Sequence, residues 1–142
     1  MRSDGRVAAW IAERGASLSP VALSAAFDAY LCTLPWAGAG IRWQGMPHRT
    51  LALEDDVTDE AVVAWARQTP VAAHSHVLVI DSAREPGVIC RFEDGLRDFE
   101  LLTVRPDLFL CGVDLVNGTP RPAFGHFIER RSFHTLTARL SG

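Results

Sequence analysis

The chain predicts an α+β fold with N-terminal helices packed on a curved, mostly antiparallel sheet. Three observations carry that expectation. Apolar residues recur at helical spacing through the first half, up to Pro70. From His76 onward the pattern changes to short apolar or alternating runs, the signature of strands. Turn-forming pairs, Pro86-Gly87, Asp94-Gly95 and Asn117-Gly118, punctuate those runs. No glycine-rich loop follows a strand, so a dinucleotide fold is not expected.

In order, the first helix is read over Asp4 to Arg14, where Val7, Trp10, Ile11 and Arg14 share a face and Gly15 stops the run. Ser19 is the expected N-cap of the second helix, with Pro20 at its first position and Leu18 stapled to Leu23. Its stripe is Leu23, Phe27, Tyr30, Leu31 and Leu34, and Pro35 ends it. Ile41 to Trp43 and Thr50 to Leu53 read as a short hairpin beyond a turn-rich stretch. Thr58 caps a third helix, with Asp59 and Glu60 in its favourable first turn, Val57 stapled to Val62, and Pro70 closing it.

His76 to Asp81 reads as a buried strand and Val88 to Glu93 as the next. Asp94-Gly95 is expected to turn into a third strand, Leu96 to Val104, because a type I′ turn favours glycine at positive φ. Leu108 to Val116 is the fourth strand, with a turn at 117–120 and a last pair at Phe124 to Ile128 and Ser132 to Leu140. In order and length these elements resemble the cone-shaped α+β fold of nuclear transport factor 2-like proteins.

A length of 142 residues and a hydrophobic fraction of 48% fit a single domain spanning 1–142, large enough to hold a core without a disulfide. All 14 basic residues are arginine, which removes lysine Schiff-base chemistry and a lysine-dependent phosphate loop. The net charge of −3 argues against nucleic acid as the partner. Cys32, Cys90 and Cys111 are scattered among apolar residues and read as buried, reduced thiols. Without a signal sequence or an apolar run of membrane-spanning length, the expected location is cytoplasmic.

Two constellations carry the functional expectations. Trp36 and Trp43 flank a glycine-rich segment, and with the acids Glu54, Asp55 and Asp56 they form the expected interface for another, positively charged protein. In size and charge the chain resembles immunity proteins, which neutralise basic toxins. This reading makes it a noncatalytic protein-binding module. The alternative is a small cofactor-independent enzyme using a histidine–carboxylate acid–base pair from among His74, His76, Asp114, His126 and His134. Asp114 interrupts an apolar run, where a buried carboxylate needs a partner; the other reading, and the favoured one, places it on the wet face of an edge strand. His74 and His76 on one strand would face the same side, as metal ligands do, but no metal or other cofactor is expected. Convergence of histidines and carboxylates on a deep apolar pocket would favour the enzyme; a flat acidic face with scattered histidines would favour the binding module.

Overall fold

The computed structural model describes residues 5–141. Its elements are α1 (Arg6–Arg14), β1 (Ser17–Leu18), α2 (Val21–Leu31), β2 (Trp36–Ala37), β3 (Gly40–Ile41), β4 (His48–Ala52) and α3 (Asp59–Ala66). A 3₁₀ turn (Pro70–Ala73) follows, then β5 (His76–Ile80), β6 (Val88–Arg91), α4 (Phe92–Leu102), β7 (Leu108–Val116), β8 (Thr119–Arg131) and β9 (Thr135–Arg139). The protein is α+β, with one antiparallel sheet of seven strands in the order β1-β6-β5-β7-β8-β9-β4, plus the small β2-β3 hairpin. No helix among the described residues is long and apolar enough to cross a membrane.

The expected arrangement needs correcting on three counts. The sheet is open, with β1 and β4 at its edges, and is not the curved sheet or cone anticipated. The helices are not all N-terminal, because α4 lies between β6 and β7. Nor do they share one face. Along β5, Val77 and Val79 point into a cluster that also contains Trp10 of α1, Trp65 of α3 and Leu96 of α4. Leu78 and Ile80 point the other way, into a cluster with Phe27 and Leu31 of α2. A strand buried on both faces reads as a continuous apolar run, and this is why 77–80 carry no alternation.

Helix α4 replaces the expected Asp94-Gly95 hairpin and the strand after it. Phe92, Leu96, Phe99 and Leu102 recur at helical spacing and are all buried. Gly95 is used for close approach: a Cβ there would lie 2.4 Å from Cγ2 of Val77. The helix therefore seats against β5, and the glycine serves packing instead of a turn. Trp10 ties α1 to α4 by donating its indole N–H to Asp98 at 3.0 Å.

Other local signals are used as expected or diverted. Thr58 caps α3, accepting from the Ala61 N–H at 3.1 Å. Asn117 and Gly118 turn β7 into β8 with φ of 51° and 79°. Ser19 makes no helix cap; its hydroxyl accepts the Gly87 N–H at 2.9 Å and so fastens β1 beside β6. The expected pairing of 41–43 with 50–53 is absent. Gly40 and Ile41 pair with Trp36 and Ala37, while β4 pairs with β9.

Candidate active site

Three histidine and carboxylate side chains from separate segments meet on the α4 side of the sheet. The 3₁₀ turn is anchored by the fully buried Val71 and delivers His74 just before β5. Asp114 lies on β7 and His126 on β8. His74 Nδ1 is 2.9 Å from Oδ2 of Asp114, and its Nε2 is 2.8 Å from Nδ1 of His126.

Two backbone features make room for this chain. The β7–β8 ladder pairs Cys111 with Phe127 and then Gly112 with Ala123. Residues 124–126 are thereby pushed out of the ladder as a bulge, which re-aims His126 towards His74. Gly112 supplies the seat, since a Cβ there would lie 2.2 Å from Cδ2 of His74. Any other residue at 112 would collide with the ring.

Hydrogen-bond logic assigns the protons. The Asp114 carboxylate oxygen accepts, so Nδ1 of His74 donates to it. Nε2 of a neutral His74 then accepts, so Nδ1 of His126 donates. The chain ends at Nε2 of His126, which carries a lone pair. Burial, the neighbouring His74 and Arg139 together hold the His126 pKa below its usual 6.5, which favours the neutral ring. The His74 side chain is 11% exposed, while that of Asp114 is 50% and His126 is half-buried, so the chain is buried at its centre and open to solvent at its ends.

A cleft of 420 Å³ opens beside His74, lined also by Arg67, Ser75, His76, Arg91 and Glu93. His76 sits in the β5–β6 ladder directly opposite Arg91, and its Nδ1 is 2.7 Å from the Ser75 hydroxyl. Arg67 is engaged by Glu93. Among the described residues no group of three or more His, Cys, Asp or Glu is arranged to hold a metal ion.

The other residues singled out from the sequence lie elsewhere. His134 is exposed after the β8–β9 turn. Trp36 is 40% exposed and donates its indole N–H to the Leu31 carbonyl at 2.8 Å. Trp43 is half-buried against the α2-side cluster, its ring 5.4 Å from that of Phe127. Glu54, Asp55 and Asp56 are exposed, and the flanking Leu53 and Val57 pack into the opposite cluster. The tryptophans and these acids therefore do not form one surface. Cys32 is exposed, contrary to the buried thiol expected, while Cys90 and Cys111 are buried; burial pushes the Cys90 thiol up to about 12 and raises that of Cys111 as well, which disfavours the thiolate at both.

One further residue, read in the sequence only as one of several carboxylates able to pair with a histidine, is buried apart from the histidine chain. Glu129 on β8 is 3% exposed; it accepts from the Trp43 indole at 3.0 Å and from the Ile41 N–H at 3.4 Å. Burial raises its pKa above the usual 4.5, against the lowering effect of those two donors. Only its place in a long polar–apolar strand hinted at an inward carboxylate.

No protein family matches the chain, and no curated protein matches it in sequence.

Proposed function

We propose that the protein performs general acid–base chemistry on a small substrate, with the Asp114–His74–His126 chain as its proton-handling unit. The single observation that carries this reading is the pair of hydrogen bonds at 2.9 and 2.8 Å that join a carboxylate and two imidazoles in series. In this reading His126 Nε2 takes the proton, His74 orients His126 and accepts its Nδ1–H bond, and Asp114 fixes the His74 tautomer. A carboxylate holding one imidazole so that a second group can accept a proton is the arrangement general-base catalysis needs. When His126 becomes cationic, the positive charge is shared along the chain toward Asp114. Both carboxylates of the neighbouring cleft are already matched, Glu93 by Arg67 and Asp94 by Arg14 at 3.9 Å, so the charge of Arg91 is left for a substrate and supports an anionic one.

The test is cleavage of mono-p-nitrophenyl succinate, an activated ester with a free carboxylate, beside its neutral acetate counterpart. His126→Gln should lower the rate by about a hundredfold, and Arg91→Ala should weaken saturation by the succinate ester alone. The rate should fall as pH drops through the depressed His126 pKa, as the base is protonated. A folded His126→Gln variant as fast as the parent would remove His126 from this role.

A further inference from the structure

A second region, remote from the histidine chain, has the features of a docking surface. The β8–β9 turn places Ser132 and Phe133 at φ of 53° and 63°, a conformation that bulky side chains rarely adopt. It is held there by the Phe133 N–H donating to the Pro106 carbonyl at 3.1 Å and the Ser132 N–H donating to Asp107 at 2.7 Å. The strained geometry leaves the Phe133 side chain 51% exposed. Strain of this kind persists where the surroundings impose it, and it clusters at functional surfaces.

Phe133 borders two hollows, of 390 and 330 Å³, which share it and Glu100. The larger has an apolar floor of Leu53, Val57, Val62, Leu96 and Phe99. Its rim carries the carboxylates Glu54, Asp55, Asp59 and Glu100. Glu54 and Asp55 make no side-chain hydrogen bond or ion pair with any described residue. The nearby positive charges do not offset them. Arg97 is engaged by Glu60. Arg130 is 2% exposed, stacked between Phe99 and Phe133 with ring centroids 5.4 and 5.1 Å from its Cζ.

We infer that the Phe133 hollow docks an arginine-bearing segment of another protein, whose guanidinium packs on the Phe133 ring while Glu54 and Asp55 neutralise its charge. Charge complementarity selects this occupant: Glu100 is matched by Arg130 at 3.7 Å, but the unpaired Glu54 and Asp55 repel acidic chains and nucleic acid. Apolar area beneath the rim favours a side chain with a long aliphatic stem and a flat cationic head, which describes arginine. The acids are those the sequence marked for a basic partner. The aromatic anchor is Phe133 instead of either tryptophan.

Hexa-arginine peptide is the probe, with hexa-glutamate as control, and amide resonances report the site. Hexa-arginine should perturb residues 53–59 and 131–134, saturably and less strongly as salt is added. The double substitution Glu54→Gln with Asp55→Asn should weaken binding about tenfold, and Phe133→Ala roughly fivefold. Phe133→Tyr should keep affinity, which separates loss of the ring from disturbance of the turn. Perturbation centred elsewhere, or an affinity indifferent to the acid substitutions, would overturn the inference. So would spermine binding as tightly as the peptide, since the occupant would then be a polyamine and not a protein segment.

Discussion

Two polar clusters lie back to back on the sheet, and both bury a titratable group. On the α4 side, His74 is bonded at both ring nitrogens, to Asp114 and to His126. On the α2 side, Glu129 accepts from the Trp43 indole and the Ile41 backbone. Each joins segments far apart in sequence, and each is satisfied. They differ in the partners. Every member of the first chain titrates, so a proton gained at one end changes what the other end can do. The donors to Glu129 do not titrate in the ordinary range, so that carboxyl can only be charged or neutral where it stands. The lesson is that the number of hydrogen bonds does not mark a reactive site; the acidity of the partners does.

The most severe way to break the comparison is Gly112→Val. With a Cβ 2.2 Å from the His74 ring, the histidine must leave its seat. The expected cost is about 3 kcal/mol by chemical denaturation, from overpacking. The Trp43 indole N–H resonance, which reports the other cluster, should stay as in the parent. A parental denaturation curve would mean that the seat is not tight.

Next is Trp43→Phe, which leaves Oε1 of Glu129 buried without its donor. About 2 kcal/mol should be lost, the cost of an unmet buried acceptor. Adding Glu129→Leu to the same chain should recover part of that, since the carboxylate is no longer stranded and only the Ile41 N–H loses its partner. If the double variant is no better than the single, the bond to Glu129 is not what Trp43 contributes.

A pH series sharpens the contrast because the two groups have opposite signs. Glu129 has a raised pKa, so between its usual 4.5 and the folded value the folded state holds a proton that the unfolded state has lost. Stability from this group is greatest in acid and is lost as pH rises through that window. His126 has a lowered pKa, so below its usual 6.5 the unfolded state takes up the proton first. Stability is therefore lost as pH falls through that window. Glu129→Gln should flatten the first dependence and His126→Gln the second, each leaving the other in place.

The smallest stability effect should come from Asp114→Asn. Its side chain is half exposed, so the loss should be only about 0.5 kcal/mol. Ester cleavage should fall by about tenfold all the same, because an amide fixes the His74 tautomer less firmly than a carboxylate. A stability loss without a rate loss would make Asp114 a structural partner only.

Sequence patterns closed over short distances were legible. The Thr58 cap, the apolar run 77–80 and the Asn117-Gly118 turn need only neighbours to act, and each is where the residues put it. The segment 92–102 misled for an instructive reason. Its helical spacing was present in Phe92, Leu96, Phe99 and Leu102, but Asp94-Gly95 offered a competing turn signal. Which one prevails depends on β5, where Gly95 allows the helix to lie close over Val77. The candidate site was legible as residue types but not as a site. His74, Asp114 and His126 meet only because β5 pairs β7, β7 pairs β8, and a bulge turns 124–126 out of register. His74 and His76 looked like the natural pair, yet the histidine that joins His74 comes from β8. Strand pairings between distant segments leave no mark in local spacing.

The edge strand β4 has one further consequence, for the order in which the chain is made. Among the described residues its only ladder partner is β9, and Thr50 meets Thr137 across 87 residues of chain. During synthesis the segment 48–52 emerges long before anything exists for it to pair with. Until the last strand is out, its N–H and C=O groups and Leu51 have no place in a sheet. Such a segment is open to other chains during that interval. Arg49 and His48 beside Pro47 are the kind of residues that discourage such contacts. Slowing translation anywhere between the emergence of β4 and that of β9 would lengthen that exposure.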